Sequence, residues 1–557
     1  MTRMMGLDQP WRGAAAARAA LAATRSTALA AFAGFAIGAA TATAQDTREP
    51  DQIVTTHHQI TLAGKPLKYT ARAGLMPIRD NEAGDLHAHI FFMAYTVERA
   101  AGQPVRPLTF VWNGGPGMNS SLIHLLGFGP RRVKTGDVYP SSPPVSETQM
   151  EDNQDTWLDQ TDLVFVDPVG TGFGRPAKPE YANEFYQTPG DKESVAEFIR
   201  LYRVRFDGMY QPLFVVGHSY GTTRAMGVAD ALERRGIHLS GVALLSGGIQ
   251  VGQPPLSPEL QTALGVPGMT AAAFFHKKLP PDLQQDLQRS LRQAEAWAQS
   301  TYAPALARRD ALSDAERDAV LNDLSRFTGV SANAFDRKTL SMTRDQFKTR
   351  LFGDEKRIFG NYDARMTRAW DPTEGGYDIL NDPSFKPAVP LVQGTSPLLN
   401  RYLRSDLGFK SDLIYQGPLA GGYPPDSAEL RIRGLGIGIN RRFNRGAGGR
   451  AGADAGGRGG AADGGTEPTP PLRVAMDVNP AIQVFVARGL YDSGSCFSAA
   501  YTVSHLEPSI ASRVSVGCYG AGHDFYTDKQ VRVEIKRDMM AFIRRSLSGA
   551  AARTSRN

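Results

Sequence analysis

The sequence predicts an α/β protein with a mostly parallel central sheet and a long inserted helical segment. Three observations carry this. Short apolar runs at 108–112, 162–167, 213–218 and 241–246 alternate with stretches of helical periodicity, the pattern of strands covered by helices. From about 257 to 370 the alternation stops, and helical spacing continues without a convincing strand. Strand-like runs then return at 482–488 and 514–519, followed by an amphipathic helix over about 529–547.

The N-terminus carries Arg3, Arg12, Arg18 and Arg25, an apolar run over 28–40, and Ala42-Thr43-Ala44 before Gln45. A basic region, a short apolar core and small residues at the minus-three and minus-one positions describe a secretory signal peptide. Cleavage after Ala44 and a secreted or periplasmic location are expected. The apolar core falls short of the ~20 residues that span a bilayer, so no integral membrane segment is expected after cleavage. Loss of those four arginines and of Asp8 takes the formal net charge from +6 to +3. That is too little and too scattered to argue for nucleic acid as a partner. The two cysteines, Cys496 and Cys518, lie near the C-terminus; an oxidising compartment permits a bridge between them, and free thiols remain the alternative.

After the signal segment, 65–80 and 86–97 read as extended segments around the turn 81–85, an opening hairpin. The run LTFVW at 108–112 leads into Asn113-Gly114-Gly115-Pro116-Gly117, whose backbone can approach a ligand closely because three of these residues lack a side chain. The strand at 162–167 precedes a second glycine-rich turn, 168–174, and a helix over 193–205. The strand at 213–218 is followed by a helix over 222–235 and a buried strand at 241–246. Within the insertion, 281–302 and 313–327 are the clearest helices, the second opened by Ser313 with Glu316 three residues on. The segment 446–465 is glycine-rich and of low complexity, and should be a flexible loop. The resulting domains are a signal peptide (1–44), a first core part (45–250), a helical insertion (251–420) and a second core part (421–557) containing the glycine-rich loop.

Gly217-His218-Ser219-Tyr220-Gly221 fits a nucleophile elbow, a sharp strand-to-helix turn that exposes one serine. Ser219 is therefore the candidate nucleophile. A serine needs a base and an acid that orients the base, in the chain order serine, acid, histidine. Asp492 follows the strand at 482–488, and His523 follows the strand at 514–519 in Gly520-Ala521-Gly522-His523. Asp524 is the weaker rival acid, because it would have to fold back on its neighbour. Backbone amides that meet the developing oxyanion supply a large term in such catalysis; Tyr220, just after the serine, and Gly115 are the choices. If acid and base loops meet, the flanking Cys496 and Cys518 come close enough to bond.

Taken together, WNGGPG, DPVGTGFG, GHSYG, YDSG and AGHDF resemble, in order, the motifs of the serine carboxypeptidase family of alpha/beta-hydrolases. The resemblance covers the chain from about residue 60 onward. It implies an alpha/beta-hydrolase fold, the triad Ser219, Asp492 and His523, oxyanion amides at Gly115 and Tyr220, and the insertion as a cap over the site. It also implies a secreted member of bacterial type, an enzyme that removes a C-terminal residue from a peptide with a free C-terminus, through an acyl-enzyme, without cofactor or metal. In the family a pair of acids binds the substrate carboxylate with the asparagine of the glycine turn. Here His218 and Gly127 stand at the acid positions, so substrate binding falls to Asn113, Gly114 and His218. A protonated His218 could bind the carboxylate, which would give a bell-shaped pH profile for free-ended peptides; the alternative is that it packs behind the elbow. An esterase or acyltransferase with the same triad is the nearest rival function, and a non-catalytic binding protein a more distant one.

Overall fold

The computed structural model describes residues 52–554, apart from 101, 135–148, 254, 372, 374–381, 386–388, 393, 418–468 and 495. The expected signal peptide and glycine-rich loop lie outside the described residues.

Three long strands, β1 (Ile53–Leu62), β2 (Lys65–Arg79) and β3 (Leu86–Val97), form an antiparallel meander at one edge of the main sheet. β4 (Leu108–Trp112) follows, and β5 (Arg131–Val133) pairs with β6 (Met150–Asp152) as a small separate ribbon. β7 (Asp162–Asp167) lies antiparallel to β3 and parallel to β4, and the short β8 (Arg175–Pro176) also pairs with β3. β9 (Leu213–His218) and β10 (Gly241–Leu245) continue the parallel part. A two-stranded hairpin, β11 (Arg357–Phe359) and β12 (Thr367–Ala369), interrupts the insertion. β13 (Gln483–Gly489) and β14 (Val514–Tyr519) complete the sheet, in the order β1-β2-β3-β7-β4-β9-β10-β13-β14.

β4, β7, β9 and β10 are buried along their whole length, as strands covered on both faces must be. Their alternate side chains feed two cores. One contains Val111, Phe165, Val216 and Leu245 with Phe542 and Ile543 of the last helix, Lys529–Thr554. The other contains Phe110, Val166, Val215 and Leu244 against the helices Thr188–Arg205 and Gly221–Arg234. The insertion has a third core of its own, built on residues such as Leu291, Leu324, Phe347 and Phe359, which also takes in Leu490 and Tyr491 from the loop after β13.

The parallel strands and the helix after β9 match the sequence expectations to within a residue or two. Three differences stand out. β1 is not anticipated, because only Ile60 in it is fully buried and its middle, Thr55–Gln59, is polar and carries no apolar signal. The insertion contains the β11–β12 hairpin, which overturns the expectation of a segment without strands; three-residue strands are too short to show a period of two. The helix expected at 281–302 begins at Leu287, capped by the Asp286 side chain on the Arg289 amide, and its last turn widens into a π-helix, Ala298–Tyr302. The residue before a proline is pushed out of the helical region, so Pro280 and Pro281 stand before the helix. The expected Ser313 cap is present as a full capping box with Glu316. Among the described residues, no helix is long and apolar enough to cross a membrane.

Candidate active site

Ser219 sits at the C-terminal end of β9, with a φ of 60°. Its amide donates to the Leu245 carbonyl of the neighbouring strand at 2.8 Å. Only glycine fits on either side: a Cβ on Gly217 would collide with the Gly221 carbonyl, and one on Gly221 would lie 2.8 Å from Trp112 Cδ1. The Trp112 indole N–H donates to the Gly221 carbonyl at 2.9 Å, which joins the end of β4 to the elbow.

The turn after β4 abuts the elbow directly. A Cβ on Gly114 would stand 2.6 Å from the His218 carbonyl oxygen and 2.7 Å from the Gly221 nitrogen, so bare backbone is required. Gly115 has a φ of 102°. Arg224, buried in the elbow helix, donates through Nη1 to the Asn113 carbonyl at 2.9 Å and through Nε to both Asp191 oxygens at 2.9 Å. The Tyr220 hydroxyl donates to the same carboxylate at 3.2 Å. The glycine turn and the residue after the serine are thus held in one buried network.

The acid and base loops leave adjacent parallel strands and stay zipped beyond them. The Leu490 amide donates to Tyr519 O at 2.8 Å, and the Tyr491 amide to Ala521 O at 3.0 Å. His523 Nδ1–H donates to Asp492 Oδ2 at 2.9 Å, with both side chains buried. Burial disfavours the charge on each, yet attraction and the shared hydrogen bond prevail: the His523 pKa ends above 6.5 and that of Asp492 below its usual value. The nearby guanidinium groups of Arg488 and Arg344 add to the ionisation of Asp492. The structure bonds Cys496 to Cys518, with Cα atoms 5.9 Å apart. Asp524 does not turn toward the base; it accepts from the Tyr526 hydroxyl at 3.0 Å and lies 3.5 Å from His218 Nε2.

Behind the elbow, the side chains expected to bind a carboxylate are engaged with one another. Asn113 donates through Nδ2 to His218 Nδ1 at 3.1 Å and to the Tyr526 hydroxyl at 3.3 Å, and its Oδ1 accepts from the Ile123 amide at 3.1 Å. His218 Nε2 lies 3.0 Å from the His523 carbonyl oxygen. Burial, with a smaller push from His523, lowers the His218 pKa to about 4. Both ring nitrogens are thus engaged inside the protein and burial disfavours the imidazolium, an arrangement that fits the alternative in which His218 packs behind the elbow. The same holds for the Asn113 amide, whose hydrogens are both used. At Gly127 an added Cβ would come against the Tyr526 ring at 3.4 Å.

Sequence reasoning missed one group of residues beside the site. The His523 amide donates to Tyr362 O at 2.6 Å, and the Ala364 amide to Tyr491 O at 3.0 Å. Arg365 forks onto Asp363 and donates to Gly520 O at 3.0 Å. This segment, between the strands of the β11–β12 hairpin, spans both the acid and the base loop. Its sequence, NYDAR, has no periodicity, and its bonds are largely to backbone, so nothing in the residue types announces it.

A serine elbow at the switch between parallel strands, with a carboxylate–histidine pair over the same sheet edge, defines an alpha/beta-hydrolase. Residues 63–356, more than half of the chain, match the serine carboxypeptidase family. The chain belongs to that family. The pheromone-processing carboxypeptidase KEX1 of Komagataella phaffii is 25% identical over 284 residues, covering 49% of this chain and 41% of that protein. Serine carboxypeptidase-like 51 of Arabidopsis thaliana is 28% identical over 170 residues, 28% of this chain and 33% of that protein. The chain thus spans less than half the length of these relatives. A crystal structure of KEX1(delta)p, a prohormone-processing carboxypeptidase from Saccharomyces cerevisiae, aligns over 85% of this chain and 91% of that one, at 16% identity and a TM-score of 0.49. These relatives are fungal and plant proteins; they speak for the family and not for a bacterial type of member.

Proposed function

We propose that this chain is a serine-type carboxypeptidase that releases C-terminal residues from peptides. The observation that carries the reading is the buried Asp492–His523 hydrogen bond, on a loop whose His523 carbonyl lies 3.0 Å from Nε2 of His218, the residue before the elbow serine, in a chain of this family. In the proposed reaction His523 Nε2 takes the Ser219 hydroxyl proton as Oγ attacks the scissile carbonyl. The tetrahedral oxyanion is met by the amides of Gly115 and Tyr220. The same proton passes to the leaving amine, the C–N bond breaks and an acyl-enzyme remains on Ser219. Water then attacks, with His523 again as base, and the peptide acid and free serine are regenerated. Asp492 stays ionised throughout and holds the imidazole in the tautomer with its proton on Nδ1.

A second reading, an esterase or acyltransferase with the same three residues, is favoured at one point by the internal engagement of Asn113 and His218. Activity on blocked dipeptides with free and with amidated C-termini, beside a short-chain ester, distinguishes the two. Preference for the free end supports the carboxypeptidase; equal or exclusive use of the ester supports the rival. We further propose secretion with loss of residues 1–44, checked by an N-terminal sequence of the exported protein beginning at Gln45.

A further inference from the structure

The residue before Ser219 and the residue that ends the next strand converge on one atom. His218 Nε2 lies 3.0 Å, and Ser246 Oγ 2.6 Å, from the carbonyl oxygen of His523. Both side chains are buried, and they come from the ends of the adjacent parallel strands β9 and β10, paired through Leu245 and His218. The surroundings fix the protons. Nδ1 of His218 faces a donor, the Asn113 amide, so it is the acceptor. Nε2 faces only oxygens, those of His523 and, at 3.5 Å, Asp524, so it carries the hydrogen. Asn113 cannot be turned over, because its Oδ1 already accepts from the Ile123 amide.

We propose that His218 and Ser246 are positioning residues that clamp the His523 main chain from beneath through two hydrogen bonds to its carbonyl, so that the elbow and the base loop are set relative to each other by the sheet itself. The proposal rests on the hydrolase reading above and gives His218 a role other than substrate binding. The His523 amide is held from the opposite side by Tyr362 O at 2.6 Å, and its ring by Asp492. Its carbonyl belongs to the following peptide unit, and a rotation of that unit would shift the imidazole relative to the elbow. Reach at the level of an ångström decides proton transfer, so two donors on this oxygen bear on rate and not on substrate affinity.

The test compares the parent with Ser246→Ala, His218→Ala and His218→Gln. A glutamine amide restores a donor toward His523 and an acceptor toward Asn113. Measured are the rate of fluorophosphonate labelling of Ser219, and kcat and KM against pH for an ester and for peptides with free and amidated C-termini. Loss of one net hydrogen bond predicts labelling and kcat lower by about tenfold in either alanine variant. The loss is alike for ester and peptide, leaves KM unchanged, and moves the acidic limb toward lower pH as the Asp492 contact loosens. His218→Gln should recover most of the loss. Unchanged labelling and an unchanged limb in both alanine variants would overturn the proposal, as would a rise in KM confined to the free-ended peptide in His218→Ala. If His218→Ala does not fold, Ser246→Ala, which removes one hydroxyl, decides alone. A parent that is not labelled at Ser219 refutes the hydrolase reading itself and is recognised before any variant is compared.

Discussion

Ser219 holds a φ of 60° that L-residues seldom adopt, in a turn packed so closely that Gly114, Gly217 and Gly221 have no room for a side chain. Ser219→Ala keeps that backbone and should abolish both turnover and fluorophosphonate labelling while leaving the unfolding midpoint near that of the parent; labelling retained at another residue would contradict the assignment. The pH dependence follows from His523. Its pKa lies above 6.5 because Asp492 outweighs burial, and it must be neutral to accept the serine proton. The expected kcat/KM therefore rises with pH through a value above 6.5 to a plateau. His218, lowered to about 4, has no part in a falling limb above neutrality, so the bell shape expected from the sequence should be missing for free-ended peptides as well as esters. Ser219, Asp492 and His523 could be singled out as candidates in the sequence because each stands in a glycine-bearing turn just after a strand. The engagement of His218 could not be, since a histidine reads the same whether its nitrogens face a substrate or an asparagine.

At the scale of elements, two devices hold the loops after β13 and β14 in register. Cys496, opening the helix Cys496–Ser504, is bonded to Cys518 within β14, across 22 residues. A bridge closing a loop of this length stabilises by about 3 kcal/mol in the chain-entropy account. Cys518→Ser should lower the denaturant midpoint accordingly; detection of two titratable thiols in the unreduced parent would remove the basis for this. The other device is the segment between β11 and β12, where Arg365 ties Asp363, Gly520 and, through its place over the ring, Tyr491. Arg365→Ala leaves the Asp363 carboxylate buried without its partner, an arrangement that costs a few kcal/mol. It should therefore lower stability and slow Ser219 labelling together. Stability lost with labelling intact would show that the segment supports only the insertion. The parallel strands β4, β7, β9 and β10 were easy to read because each has an apolar run at its centre; this hairpin was not, because its strands have three residues each and the segment between them holds the acid and base loops largely through main chain.

For the whole molecule, the buried titratable groups set how the fold responds to acid. His124 lies in the core, stacked on Phe165 and bonded to the Tyr95 hydroxyl at 2.9 Å, and burial lowers its pKa to about 3. His218 is lowered to about 4, facing His523, Asp524, Asp492, Asn113 and Tyr526. Unfolded, both histidines take up a proton near 6.5, so between that pH and the folded values the unfolded state binds more protons. Their contribution is complete above 6.5 and is lost as pH falls, on the order of 3 kcal/mol each by pH 4. Asp167 acts in the opposite sense. Burial raises its carboxyl to about 6 despite the Tyr415 and Ser120 hydrogen bonds, so the folded state gains protons first as pH falls from 6 toward 3.8, recovering roughly 2 kcal/mol. The balance favours loss. Denaturant midpoints measured from pH 7 to pH 4 should fall for the parent, fall less for His124→Gln, which no longer titrates, and fall more for Asp167→Asn, which cannot take up the compensating proton. A His124→Gln curve parallel to that of the parent would mean that the core admits a charged His124, and that acid acts through groups at the surface.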